Sequence, residues 1–159
     1  MTSIRVFAPP DAEPLSRIIV RNLELVNIQD YPSQTIQALA KLYTRERLIK
    51  EASYCHMVVC LDGTEVLGTA AVDGDRVRNV FVDIRRHREG MGRCLMAAIE
   101  TYALEHGQAR LYLHAVPSAR GFYEKLGYEV MGRIERELAG FQLVELLMAK
   151  ELPRLDAVG

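Results

Sequence analysis

Two Asp-Gly dipeptides, Asp62-Gly63 and Asp73-Gly74, separate three short apolar runs, His56–Leu61, Val66–Val72 and Arg76–Val82. Such a pair between β-rich runs is a strong hairpin signal, because glycine tolerates the positive φ that tight turns demand. The spacing predicts an antiparallel meander. The next segment restricts the fold further. Met91 to His106 reads as a helix, with Met91, Leu95, Ala98, Ile99 and Tyr102 on one face and Gly107 ending it. Ala109–Ala115 is then a strand reached by a helical crossover, and it should run parallel to Arg76–Val82.

The flanking segments complete an α/β (α+β) pattern, a mixed, mostly antiparallel central sheet with flanking helices. Ile4-Arg5-Val6-Phe7 reads as a first strand. Asp11 is placed to cap a helix to about Leu25, with Leu15, Ile18, Ile19 and Leu23 inward. Ser33 is placed to cap a second helix carrying Ile36, Leu39, Ala40 and Tyr43, and a further turn or helix covers Thr44 to Ala52. Tyr128–Arg133 and Leu143–Lys150 read as closing strands. One domain over residues 1–152 with a loose tail over 153–159 is expected. A chain of 159 residues buries about 68–70% of its unfolded surface, enough for a real core.

Between the third run and the helix lies Val82-Asp83-Ile84-Arg85-Arg86-His87-Arg88-Glu89-Gly90-Met91-Gly92-Arg93. A glycine-rich strand-to-helix turn leaves backbone N–H groups without intrahelical partners. The helix dipole adds about half a positive charge there. Together they make an anion site suited to phosphate or pyrophosphate. Arg85, Arg86, Arg88 and Arg93 add attraction for a polyanion. The dinucleotide fingerprint is excluded, because Leu95 stands at the third glycine position, and no Gly-Lys-Ser/Thr follows as a P-loop needs.

A second motif lies downstream, Leu113-His114-Ala115-Val116-Pro117-Ser118-Ala119-Arg120-Gly121-Phe122-Tyr123-Glu124-Lys125-Leu126-Gly127-Tyr128. It reads as strand end, turn, short helix and stop, with Ser118 as N-cap and Gly127 as the left-handed C-terminal residue. Phe122 and Leu126 are spaced to face the core together, which leaves Tyr123 at the edge of a cleft.

Jointly the two motifs resemble the GCN5-related N-acetyltransferase (GNAT) family. Its acyl-CoA loop pattern, Arg/Gln-x-x-Gly-x-Gly/Ala, corresponds to His87-Arg88-Glu89-Gly90-Met91-Gly92. Its later pattern, Ala-x-x-Phe-Tyr-x-x-x-Gly-Phe/Tyr, corresponds to Ala119 through Tyr128. His87 replaces the usual Arg or Gln, and Val116 stands where many members carry Asn. The resemblance implies the acyl-CoA N-acyltransferase fold, acetyl-CoA as cosubstrate, and an amine of a small molecule or peptide as acceptor. It implies CoA contacts at Val82, Ile84 and His87 through Arg93, namely His87, Arg88, Glu89, Gly90, Met91, Gly92 and Arg93. It also implies a backbone N–H near Val82 as oxyanion donor, and Tyr123 as general acid and cofactor contact. A non-catalytic acyl-CoA-binding domain of the same fold is the alternative.

No general base is readable. The 76–82 run contains no carboxylate, Asp73 and Asp75 read as turn residues, Asp83 as a cap, and His114 as a strand-end residue that faces either the cleft or the core. In this family the first helices and last strands choose the acceptor. Here they carry Glu24, Asp30, Glu46, Glu135, Glu137 and Glu145, which suit a cationic amine, although scattered surface carboxylates are common. A net charge of −1 gives no global reason to expect nucleic acid or membrane as partners. Cys55, Cys60 and Cys94 lie in apolar contexts and read as core residues of a reducing compartment, the cytoplasm. No Cys or His pair has metal-ligand spacing, so no metal is expected. The apolar stretch Phe141–Met148 should be buried on both faces or pair with another chain, which favours a homodimer.

Overall fold

A computed structural model describes residues 1–138 and 140–153. The order is β1 (Thr2–Val6), α1 (Ala12–Leu25), α2 (Ser33–Leu42), α3 (Arg45–Ala52), β2 (His56–Asp62), β3 (Glu65–Asp73) and β4 (Arg76–Val82), then α4 (Met91–Glu105), β5 (Arg110–Ala115), α5 (Arg120–Lys125), β6 (Glu129–Leu138) and β7 (Phe141–Glu151). The sheet order is β1-β2-β3-β4-β5-β7-β6. All neighbours are antiparallel except β4 and β5, which are parallel, as the crossover through α4 requires. The two hairpins close with Gly63-Thr64 and Gly74-Asp75 as central residues, both glycines at positive φ. Of the expected loose tail, 153–159, all but Pro153 lies outside the described residues.

Side-chain alternation along β2 shows how the layers assemble. Val58 and Cys60 join one core beneath α4, with Leu95, Met96, Ile99 and Leu111. Val59 and Leu61 join the other, beneath α1 to α3, with Leu15, Ile19, Ile36 and Leu48. A strand covered on both faces needs apolar residues at consecutive positions, which is why the run reads as nearly continuous. Each large side chain so buried contributes about 1.5–3 kcal/mol.

Several local expectations are corrected. Pro32, not Ser33, stands at the N-cap of α2. Asp11 makes no cap bond to α1. Its carboxylate instead takes a two-pronged ion pair from Arg5 and the Ala8 N–H, stronger partners than a helix amide. Cys94 is exposed, whereas Cys55 and Cys60 are buried. The closing strands are longer than expected because they pair with one another almost to their shared turn. β7 has β5 on one edge and β6 on the other, so its apolar run finds its partners within the chain. No described helix is long and apolar enough to cross a membrane.

On one flank, His56 of β2 stacks on Tyr102 of α4, which stacks in turn on His106, with ring centroids 3.6 and 3.9 Å apart. Burial, reinforced by the His106 ring, lowers the His56 pKa from its ordinary value. A histidine depressed in the folded state binds fewer protons folded than unfolded. Its stabilisation is complete above the unfolded value and is lost as pH falls below that value and through the lowered folded one. The melting temperature should therefore fall between about pH 7 and pH 5.5, before carboxylates titrate. His56→Phe keeps a stacked ring and should flatten that part of the profile. Thermal unfolding followed by circular dichroism across this range measures the difference.

Candidate active site

β4 and β5 share one register pair, Arg76 with Tyr112, where the Tyr112 N–H donates to the Asp75 carbonyl at 2.8 Å. Beyond it the strands part, and a cavity of about 810 Å³ opens between them. Val77–Val82 line one wall and Leu113–Val116 the other. A larger groove of about 1040 Å³ runs outside α1. Most of its charges are already paired there, Arg5 with Asp11, Arg17 with Glu13, and Arg85 with Asp83 and Glu65. The cleft between the strands, by contrast, exposes unpaired backbone.

That backbone follows from the ladder. The Asp83 N–H donates to the Leu67 carbonyl of β3 at 2.7 Å. Successive residues of an antiparallel strand turn their polar groups to opposite edges, so Val82 turns both of its own toward the gap. The Val82 carbonyl accepts from Asn22 Nδ2 at 2.8 Å and from His87 Nε2 at 2.9 Å. Because a carbonyl only accepts, His87 carries its proton on Nε2. The Val82 N–H is left facing the cleft.

A β-bulge sets this parity. Between the pairs Thr69–Phe81 and Ala71–Arg78, Ala70 of β3 opposes both Asn79 and Val80 of β4. One residue fewer would turn the Val82 N–H toward β3. Asn79 sits at φ 54°, in the left-handed region. Its side-chain amide donates to the buried carboxylate of Glu51 on α3 at 2.7 Å, and Arg47 Nε binds the other oxygen at 2.8 Å. Nothing in the sequence linked Glu51 to Asn79.

At the far end, Gly90 stands at the N-cap of α4 with φ 85°, and no side chain caps the helix. The first-turn N–H groups are open, as an anion site requires. A Cβ on Gly92 would lie 2.9 Å from the tip of the Phe122 ring, so glycine there makes room for that ring. Of the nearby cations, Arg85 is bound to Asp83 and Glu65, and Arg86 to Glu89 and Asp62. Arg88 and Arg93 make no ion pair among the described residues.

The cleft brings together Val82, His87, Arg88, Gly90, Met91, Gly92, Arg93 and Tyr123 from the sequence expectations. Ile84 lies on the outer groove, and Glu89 points to Arg86. The helix around Tyr123 is rotated from expectation. Phe122 is 39% exposed, and Tyr123 is buried at 8%, with its ring edge-on to Phe122 and Tyr128. The helix begins later than expected, since Ser118 gives its N–H and hydroxyl to Asp30, at 2.9 and 2.6 Å, instead of capping. Burial raises the Tyr123 pKa, so the phenol keeps its proton.

At the end of the cleft near α1 and α2, the carboxylates also differ from expectation. Of Glu24, Asp30, Glu46, Glu135, Glu137 and Glu145, only Glu145 lines the cleft. It is buried and bound to Arg136 at 2.6 Å. Its signal in the sequence was a charge inside an apolar strand. His114 also lines the cleft, hydrogen-bonded to Arg76 at 3.2 Å, and burial together with that cation lowers its pKa. Among the described residues no cluster of His, Cys, Asp or Glu is arranged to hold a metal ion.

The Glu51–Asn79 contact gives a direct test. Glu51→Ala should cost about 1.5–3 kcal/mol, the worth of hydrogen bonds to a charged group. Asn79→Gly should cost less, because glycine takes that φ without strain. Urea unfolding of the two variants compares them.

A family model for the acetyltransferase (GNAT) domain matches residues 27–152. The segment most similar to a probable N-acetyltransferase 14 of Danio rerio is 34% identical over 87 residues, 49% of this chain and 30% of that protein. The chain spans less than half the length of the curated relatives it matches. A Rhodopseudomonas palustris structure described as a GCN5-related N-acetyltransferase aligns with a TM-score of 0.90 at 23% identity, covering 96% of both chains. The PaiA N-acetyltransferase of Thermoplasma acidophilum, solved with coenzyme A, aligns at 0.78 and 15% identity, covering 95% of this chain and 99% of that one.

Proposed function

Because the chain belongs to the GNAT acetyltransferase domain family, we propose that it transfers an acetyl group from acetyl-CoA to the primary amine of a small molecule or peptide by direct attack. The observation that carries this reading is the cleft itself. Parted strands, an open helix N-terminus and a buried phenol line one cavity.

In this reading the pyrophosphate of CoA lies on the first-turn N–H groups at Gly90–Gly92, with Arg88 and Arg93 beside it, and the pantetheine arm runs between β4 and β5. The amine nitrogen attacks the thioester carbonyl carbon. The carbonyl oxygen takes the electron pair and is met by the Val82 N–H. One preorganised donor of this kind is typically worth about 10²–10³ in rate. The tetrahedral adduct re-forms its carbonyl, the C–S bond breaks, and the departing sulfur takes the Tyr123 proton. The amine's proton leaves to water or to a base, and the Tyr123 phenolate takes a proton back from water, so the enzyme ends as it began. Tyr123 suits the acid role by its position in the lining of the cleft, and burial keeps its phenol protonated until the sulfur departs.

Acyl-CoA binding without turnover is the second reading. It is favoured by one observation, that the one carboxylate lining the cleft among the described residues, Glu145, is held by Arg136. Purified protein with acetyl-CoA and a panel of amines, monitored for free thiol, separates the two. All three cysteines are free thiols, one of them exposed, which supports a reducing compartment such as the cytoplasm. A homodimer belongs to the same reading, through the open edge of β6. Light scattering at micromolar concentration that returned the single-chain mass of 17.9 kDa would end that part.

Two substitutions test the site. Gly92→Val pushes a branched side chain against Phe122 and over the first turn, and calorimetry should show acetyl-CoA affinity reduced by about tenfold or more. Tyr123→Phe removes only the hydroxyl. Turnover should fall by about 10²–10⁴ with acetyl-CoA affinity nearly unchanged. Equal turnover, once an acceptor is known and chemistry is rate-limiting, would leave Tyr123 a packing residue.

A further inference from the structure

The acceptor end of the cleft is built around one guanidinium. Arg136 on β6 stands opposite Leu143 of β7 and lines the cavity. Its Nε is gripped at 2.6 Å by Glu145, which is 7% exposed. Among the described residues its two terminal nitrogens have no partner. A buried carboxylate that holds Nε restrains the plane of the guanidinium, whose side chain is 40% exposed, and leaves its outer N–H pair available to a ligand in the cavity it lines. Parallel N–H groups at that spacing match a carboxylate with two hydrogen bonds.

The surroundings narrow the ligand. Leu23, Val26, Leu39, Phe81 and Leu143 line the same space. Near Arg136 the charged residues of this lining are Arg78 and the committed Glu145, with Arg86, Arg88, Arg93 and Lys125 also lining the cavity, so among the described residues the distant ammonium of a diamine meets no free carboxylate. A dianion would sit beside the charge of Glu145, and a monoanion suits the site better. Cationic neighbours also favour the neutral form of a bound amine, the form that attacks a thioester.

We propose that the acceptor carries a carboxylate next to its amine and an apolar side chain, as an apolar α-amino acid does, with Arg136 holding the carboxylate. This rests on the acetyl-transfer reading above.

The test is calorimetric titration of CoA-saturated protein with L-leucine, L-methionine and L-phenylalanine, each against its primary amide, with 1,4-diaminobutane as the dication. The acid of at least one pair should bind about tenfold tighter than its amide, the worth of a charge-assisted pair of hydrogen bonds. Arg136→Lys keeps a cation for Glu145 but loses the fork, and should erase most of that preference while acetyl-CoA affinity is retained. Arg136→Gln should do the same if it folds. The proposal falls if no amino acid binds, if an amide or the diamine binds as well as the acid, or if Arg136→Lys keeps the preference. Acetyl-CoA affinity is measured separately. If acetyl-CoA does not bind, the transferase reading fails, and the same titrations on unloaded protein still decide whether Arg136 selects a carboxylate.

Discussion

Everything functional in this molecule depends on a sheet that is joined at a single point. β4 and β5 meet only at Arg76 and Tyr112. A fully paired ladder there would consume the backbone groups that now face the cleft. The parting leaves polar backbone that must find partners elsewhere, because an unpaired buried group costs about as much as a lost hydrogen bond. Asn22 reaches from α1 and His87 from the loop, and both settle on the Val82 carbonyl. The Val82 N–H has no such claimant among the described residues and faces the cleft.

The cleft is held open by packing on both faces. Beneath α4, Leu95, Met96 and Ile99 press on one side of the sheet, and the α1–α3 layer covers the other. Polar contacts then fix detail within this frame. Glu51 reaches the bulge residue Asn79 from a helix on the acceptor side. Asp30 ties the segment after α1 to the turn before α5 through Ser118. Both are contacts between residues far apart in the chain, and both govern geometry at the cleft without touching the thioester's expected path.

Where periodicity and turn chemistry act locally, the sequence is a good guide. The meander, the crossover helix, the parallel β5 and the glycine at the start of α4 follow from runs and turns only a few residues long. The glycine-rich loop before α4 is legible for the same reason. Legibility ends where a side chain has competing partners. Ser118 and Asp11 are good caps by composition, yet each has a better partner that only tertiary structure supplies. The rotation of α5 is the most informative failure. A four-residue spacing marks a stripe, but it does not say which stripe faces in, and the helix buries Tyr123 while Phe122 settles over Gly92. Glu145 was visible as a charge in an expected strand, whereas Arg136 lay beyond the expected end of its strand at Arg133. Their meeting depended on the register of β6 against β7, which no local pattern reveals.

The position of β7 has a consequence for how the molecule is made. It follows every other strand in sequence but lies between β5 and β6 in space. On a ribosome, which delivers the chain from its N-terminus, β5 therefore waits with one bare edge and β6 waits without a neighbour. The cleft's acceptor wall, with Leu143 and Glu145, does not exist until that strand inserts. Pairing of this non-local kind is slow, and open edges are where chains stick to one another in the meantime. The charges at Glu129, Arg133, Glu135 and Glu137 give β6 a polar character that discourages such encounters while it waits. The fold and the cleft are thus completed in the same late event.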